Sequence, residues 1–172
     1  MKPRPALLSL GFTASLGIAS MANAAQPAVG QTIPDADARR VLAKIQASQT
    51  EGNVPDEPTF SRLLQRDLSA FFAAKGFGRP AVQFELLRRA ATQSGVAYPK
   101  YYLWVRVHSA NGRRVAGAVR AAAVERRRFE ITDFLSVGEI AREPERVGSI
   151  FPAPLVEGIV ARATSKGSRG ND

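Results

Sequence analysis

The clearest pattern of apolar and polar positions in the chain lies in residues 59–75. Apolar side chains recur there every three or four residues, which places them on one face of an α-helix. The members of this stripe are Phe60, Leu63, Leu64, Leu68, Phe71 and Phe72. Gly76 follows, and glycine ends a helix easily because it can adopt the left-handed conformation. The pattern therefore predicts a long helix that buries one apolar face.

Beyond Pro80 the apolar positions follow the alternating period of β-strands. Segments rich in β-branched and aromatic residues predict four antiparallel strands, at residues 82–92, 101–108, 113–124 and 129–135. The first segment is the least regular, and its central residues 84–89 are also compatible with a helix. Between the second and third segments, Asn111-Gly112 predicts a two-residue hairpin turn, because both residues tolerate a positive φ.

Helical spacing returns towards the C-terminus. Residues 137–142 predict one or two helical turns, and residues 152–164 predict a longer helix with one apolar face. Residues 165–172 are polar and predict a flexible tail. Together, the segments over residues 59–164 predict an α+β domain. In it, a long helix packs on a curved four-stranded antiparallel sheet and a C-terminal helix follows.

A shorter helix is predicted ahead of this domain, at residues 34–48. Its apolar stripe is narrow and consists of Val41, Leu42 and Ile45. Residues 49–58 contain a glycine, an asparagine, two prolines and three acidic residues, so they predict a linker. We therefore expect residues 25–58 to form a leader, an amphipathic helix and a linker, which would make the helix an arm attached to the domain.

The N-terminus has the three parts of a secretory signal peptide. Lys2 and Arg4 precede a stretch of apolar or small residues at 6–21, and Ala22-Asn23-Ala24 closes it. This pattern predicts a signal peptide at residues 1–24 with cleavage after Ala24. A retained membrane anchor is the alternative, but the stretch falls short of the roughly 18–20 residues that a span needs. We expect a periplasmic protein, or alternatively a secreted one, with no transmembrane segment after cleavage.

Composition narrows the possible chemistry. The chain has no cysteine and one histidine, which excludes disulfides and thiolate chemistry and predicts neither a metal site nor a cofactor. Lys2 and Arg4 would leave with the signal peptide, which lowers the formal net charge from +9 to +7. Outside the cytoplasm, a basic protein of this kind is expected to bind a protein partner or an anionic envelope component rather than nucleic acid.

The order of the predicted elements, helix, four antiparallel strands and helix, resembles the cystatin-like and NTF2-like architecture. The resemblance covers residues 59–164 and depends on element order alone, since no family motif accompanies it. It implies a long helix lying in a curved antiparallel sheet. Such folds carry enzymes, ligand carriers and assembly modules, so the resemblance does not choose a function.

The two-residue turn at Asn111-Gly112 sets a register in which large side chains face small ones on the next strand. The large residues are Tyr102, Trp104 and Arg106, and their expected partners are Ala121, Val119 and Gly117. A symmetric turn at residues 125–128 would bring Glu130 and Phe134 to the same face. These positions predict a cleft for a small anionic or amphipathic ligand. Ordinary core packing of the aromatic side chains is the alternative.

His108 is the candidate for acid–base catalysis, because imidazole titrates near neutral pH. With Glu130 or Asp133 beside it, it could form a carboxylate–imidazole dyad. The alternative is a half-exposed histidine at the end of a strand. The sequence contains no nucleophile elbow, phosphate-binding loop or paired metal-ligand spacing that would point to another reaction.

The two expected turns also place Arg120 opposite Asp133, on the sheet face expected beneath the long helix. A lone charge there would be costly, so we expect the two side chains to form an ion pair. Taken together, the sequence predicts an exported α+β binding or interaction module without its own catalysis. The alternatives are a small NTF2-like enzyme of the isomerase, dehydratase or hydrolase type that uses His108, and an inhibitor or immunity-type protein.

Overall fold

The computed structural model describes residues 35–167, which form five α-helices and one four-stranded antiparallel sheet. The strands are ordered β1-β2-β3-β4 across the sheet, as in a meander. The elements are α1 (Asp35–Asn53), α2 (Glu57–Phe72), β1 (Ala81–Leu86), β2 (Lys100–His108), β3 (Arg114–Val124), β4 (Arg128–Ser136), α3 (Val137–Arg142), α4 (Glu145–Ile150) and α5 (Ala153–Gly167). The predicted α+β class is confirmed, whereas the finer cystatin-like or NTF2-like class stays a prediction.

Helix α2 is the long helix that the apolar stripe predicted. It starts with Glu57 and Pro58, and proline suits the first turn because the amide hydrogen it lacks would have no partner there. A π-helical turn, Ala73–Phe77, continues it, and Gly76 ends the helical conformation with a φ of +83°. Leu64, Leu68 and Phe72 are completely buried.

The first hydrophobic core lies between α2 and one face of the sheet. The sheet side of this core includes Leu103, Val105, Val107, Val119, Ala121 and Ala123. Two polar side chains of α2 bind the two edge strands: Nε2 of Gln65 donates to the carbonyl oxygen of Val82 at 2.9 Å, and the amide of Phe129 donates to Oδ2 of Asp67 at 2.6 Å. These bonds fix the helix across the full width of the sheet.

A second core covers the opposite face. The C-terminal helices α3, α4 and α5 contribute Ile140, Val147, Ile159 and Ala163, which pack with Phe151 on Tyr102, Trp104, Ala118 and Leu135. Helix α3 begins with a capping box, in which Ser136 and Glu139 exchange hydrogen bonds between side chain and backbone. The sheet is therefore the middle of three layers, and only its ends remain open on this face.

Helix α1 is longer than predicted, so the expected linker at residues 49–58 was wrong over its first half. Asn53 explains the extension: its Oδ1 accepts from the amide of Glu125 at 3.0 Å and its carbonyl oxygen accepts from the amide of Arg126 at 2.8 Å. This tertiary contact with the turn between β3 and β4 stabilises the last helical turn. Within the described part of the chain, no residue of α1 is buried, and Val41, Leu42 and Ile45 remain exposed.

The turn at Asn111-Gly112 has three residues, so the predicted two-residue turn was wrong. The amide of Gly112 donates to the carbonyl oxygen of Ser109 at 3.0 Å, and Gly112 alone of the central residues has a positive φ, +82°. Oδ1 of Asn111 accepts from the hydroxyl of Ser109 and from the amide of Arg113, which favours this wider turn. A type I turn followed by a left-handed residue fits this geometry.

The turn between β3 and β4 is shorter by one residue than predicted, because Val124 pairs with Arg128 and three residues, 125–127, separate the strands. Glu125 and Arg126 adopt positive φ values of 51° and 58° there. A β-bulge between Arg120 and Ala121 then shifts the pairing of the two strands by one residue. Residues 1–34 and 168–172, which include the predicted signal peptide and most of the predicted tail, lie outside the described residues.

Candidate functional site

The predicted cleft is filled by its own side chains. Tyr102 and Trp104 are 4% and 3% exposed and belong to the second core, beneath the C-terminal helices. The wider turn pairs Trp104 with Ala118 instead of Val119. The Tyr102 hydroxyl is 2.7 Å from Oγ1 of Thr92, which satisfies its polar end. The alternative of ordinary core packing therefore describes these two aromatic residues.

Phe134 lies on the other face of the sheet, so its placement in the cleft was wrong. It pairs with Val119 and packs against Phe72 of α2, with the ring centroids 5.0 Å apart. The physical reason is the wider turn at Asn111-Gly112, since the one-residue change of register between β2 and β3 moves Val119, and Phe134 with it, to the face that packs on α2. The cleft proposed from Tyr102, Trp104, Arg106 and Phe134 is thus not assembled.

The candidate dyad is not assembled either. His108 pairs with Arg114, whereas Glu130 pairs with Ala122, eight residues further along β3. At about 3.3 Å per residue, the two side chains start about 26 Å apart. Asp133 pairs with Arg120, which is six residues along β3 from Arg114, so it lies about 20 Å from His108 by the same measure. His108 thus has neither predicted carboxylate beside it.

Arg106 and His108 instead lie on an open surface with Arg114, which we call the basic shelf. Together with Val115 and Ala116, these side chains border a depression of about 300 Å³. Arg106 is opposite Ala116 and His108 is opposite Arg114, so all three basic side chains share one sheet face. They lie on the face of the second core but are exposed, because the helical layer does not cover this end of the sheet.

The basic shelf carries positive charge that the described residues do not neutralise. Among residues 35–167, neither Arg106 nor Arg114 forms an ion pair. The hydrogen bond from Arg162 lowers the pKa of Glu85, and the charge of Arg106 contributes to a smaller extent. The carboxylate of Glu85 is already bound by both guanidinium nitrogens of Arg162, at 2.9 and 2.8 Å. The charge of Glu85 is therefore neutralised by Arg162 of α5, and not by the arginines of the basic shelf.

The predicted contact between Arg120 and Asp133 is present. Nε of Arg120 lies 2.6 Å from Oδ2 of Asp133 and 3.1 Å from Oγ1 of Thr132, and Nη1 lies 3.3 Å from the carbonyl oxygen of Ile150. The predicted location under α2 was wrong, because the wider turn after His108 moves Arg120 to the face of Tyr102. The ion pair therefore ties β3 and β4 to the end of α4.

Sequence reasoning missed Arg114. Its position beside His108 depends on the length of the turn, and the two-residue turn paired His108 with Val115 instead. The sequence predicted that residues 113–124 form a strand, but it did not determine which face of the sheet each side chain lies on. If the turn is taken as three residues long, the same reasoning places Arg114 opposite His108 and on the face of Arg106.

The described residues contain no group of three or more His, Asp or Glu side chains arranged to hold a metal ion. None of the helices within residues 35–167 combines the length and the apolar character needed to cross a membrane. Comparison of the chain with models of protein families, with curated proteins and with solved structures finds no match.

Proposed function

We propose that the chain is an exported module, without catalysis of its own, that binds an anionic component of the cell envelope through the basic shelf. The observation that carries this proposal is the direct pairing of His108 with Arg114, with Arg106 close by. Arg106 and Arg114 lie diagonally across the two neighbouring strands on the same face, so their two guanidinium charges repel each other. An arrangement that costs stability and has no acidic partner among the described residues is well suited to an external anion.

The geometry of the shelf favours a ligand with repeated negative charges. Neighbouring strands are separated by about 4.8 Å, and alternate residues of one strand by about 6.7 Å, so the charges are spaced along two directions of an open surface. Guanidinium groups bind phosphate and carboxylate in a bidentate manner. A polymer with successive anionic groups could therefore engage Arg106 and Arg114 at the same time.

Export is the second part of the proposal and is supported by the signal-peptide pattern that ends in Ala22-Asn23-Ala24. The intact mass of the protein recovered from the periplasmic fraction tests it. We expect a chain that starts at Ala25. A chain that still starts at Met1 would contradict the proposed location and, with it, the choice of an envelope ligand.

Binding of long-chain polyphosphate and of polygalacturonate, with neutral dextran as reference, tests the shelf. We expect Arg106→Gln combined with Arg114→Gln to weaken polyanion binding by about tenfold or more, because each charge-assisted hydrogen bond contributes on the order of 1 kcal/mol. The slope of log affinity against log salt should also become shallower by roughly 1 for each arginine that no longer binds the polymer.

A matched control removes two charges elsewhere. Arg126 and Arg128 are exposed at the opposite end of β3 and β4, so Arg126→Gln combined with Arg128→Gln changes the net charge by the same amount. If both double variants weaken binding equally, the attraction comes from net charge and the shelf is not the site. If polygalacturonate and polyphosphate both fail to bind at low salt, the proposal is wrong.

A protein partner is the second candidate, and helix α1 favours it. Val41, Leu42 and Ile45 are 58%, 45% and 39% exposed on one helix that has no buried residue within the described part of the chain. An apolar stripe on a helix commonly docks into a groove of another protein. Crosslinking in the periplasm should then capture a partner that Leu42→Gln combined with Ile45→Gln releases. The enzyme alternative has less support, since His108 lacks both predicted carboxylates.

A further inference from the structure

An open groove lies where the α1–α2 junction meets the end of β1 and the start of β2, far along the sheet from the basic shelf. Its volume is about 380 Å³. The apolar part of its wall consists of Val54, Pro55, Phe60 and Leu86. Ligand sites in proteins commonly occupy about 300–1,000 Å³, so this groove has room for a small molecule.

Tyr101 supplies a hydrogen-bond donor in this apolar wall. Its side chain is 7% exposed, and its ring packs edge-on against Phe60 and Phe129 at centroid distances of 4.8 and 6.0 Å. The hydroxyl forms no hydrogen bond with any residue in the range 35–167. Burial raises the pKa of Tyr101. Among the described residues, the fully buried polar atom without a partner is Oε1 of Gln93, so the Tyr101 hydroxyl still reaches solvent and can donate to a ligand in the groove.

Two opposite charges flank the groove. Glu57 comes from the first turn of α2, and Arg89 comes from the connection that follows β1. Within the described part of the chain, neither side chain forms an ion pair with the other or with a third residue. Ser61 adds a further hydroxyl to the wall. The groove thus combines an apolar wall with one anionic and one cationic group that are free to bind.

We propose that this groove binds a small zwitterion with apolar side chains, of the amino-acid or short-peptide class. The ligand ammonium would contact Glu57 and its carboxylate would contact Arg89, with the hydroxyl of Tyr101 as a further donor. The apolar side chain would pack against Phe60 and Leu86. A zwitterion uses both charges of the groove, whereas a simple anion would meet Glu57 and a simple cation would meet Arg89 without compensation. This proposal is independent of the basic shelf.

Isothermal titration calorimetry with the dipeptide leucyl-phenylalanine tests the proposal on the purified protein. We expect saturable binding that becomes about tenfold weaker when the dipeptide is N-acetylated and again when its carboxyl group is amidated, because each change removes one charged group that the groove recognises. Arg89→Gln should weaken binding of the free dipeptide by a similar factor. Arg88→Gln is the matched control, since Arg88 is the exposed neighbour that does not line the groove.

Glu57→Gln separates a specific contact from general destabilisation. The variant should bind the free dipeptide more weakly but should narrow the difference between the free and the N-acetylated compound, because the carboxylate that recognises the ammonium is gone. Thermal unfolding checks that each variant folds. The absence of binding heat with the dipeptide at millimolar concentration would overturn the proposal, and so would an equal decrease of affinity in the Arg88 and Arg89 variants.

Discussion

Replacing Asp133 with alanine tests how much the partly buried ion pair between Arg120 and Asp133 contributes to the stability of the fold. The side chains of Arg120 and Asp133 are 26% and 22% exposed, and Nη2 of Arg120 lies 2.6 Å from Oδ2 of Asp133. Exposed ion pairs contribute about 0–1 kcal/mol, whereas removing one partner of a buried pair costs about 3–5 kcal/mol. Because the burial here is intermediate, we expect Asp133→Ala to lower the free energy of unfolding by about 2 kcal/mol.

The combination with Arg120→Met shows where that decrease comes from. Asp133→Ala leaves a guanidinium that keeps only Oγ1 of Thr132 and the carbonyl oxygen of Ile150 as partners. Methionine fills a similar space without a charge, so the double variant should be about 1 kcal/mol more stable than Asp133→Ala alone. Asp133→Asn keeps the size of the side chain and isolates the effect of the charge.

Urea unfolding followed by circular dichroism measures these free energies of unfolding, and unchanged m-values would show that the denatured states are comparable. The reasoning is refuted if the double variant is less stable than Asp133→Ala. In that case, the guanidinium would contribute mainly through Ile150 and the second core, not through the carboxylate.

Three further substitutions test separate features of the fold. Gly117→Ala should destabilise by about 2–3 kcal/mol, because a Cβ there would lie 2.1 Å from the carbonyl oxygen of Leu135, while Gly158→Ala in α5 meets nothing within 4 Å and should stabilise by about 0.5–1 kcal/mol; urea unfolding that ranks them in the opposite order would contradict the strand pairing. Glu85→Gln tests the ion pair with Arg162, which lowers the pKa of Glu85 below its ordinary value of 4.5. The stabilising effect of this carboxylate should be complete above that pH and should disappear as the pH falls through the lower folded value, so a melting-temperature difference between Glu85→Gln and wild type that persists at about pH 2 would contradict it.

Helices were predictable from the sequence because their signal is local. The spacing of Leu64, Leu68 and Phe72 defines the buried face of α2 whatever lies opposite it. The C-terminal extension of α1 was not predictable in this way, because it depends on contacts between Asn53 and a turn more than seventy residues later. Local composition in residues 49–53 favoured a linker, and a tertiary contact overrode it.

The strand register could not be predicted from the sequence, because it depends on the number of residues in each turn. Asn111-Gly112 is compatible with a two-residue turn and with the three-residue turn observed, and the choice between them moves every later side chain by one position. The pairing of Arg120 with Asp133 was nevertheless correct, because the shorter turn between β3 and β4 and the β-bulge shift the register of these two strands in opposite directions. The register between β2 and β3 had no such compensation. The predicted cleft residues Tyr102 and Trp104 therefore lie on one face of the sheet and Phe134 lies on the other.

The same face of β3 offers an internal comparison that bears on the basic shelf. It carries Arg120 where the helical layer covers the strand and Arg114 where the strand is open. Arg120 has a carboxylate, a hydroxyl and a carbonyl oxygen around it, as a partly buried cation requires. Arg114 is opposite His108 and has no acidic partner among the described residues. The fold thus supplies counter-charge for the cation that it partly buries, and leaves the exposed Arg114 without an acidic partner among residues 35–167.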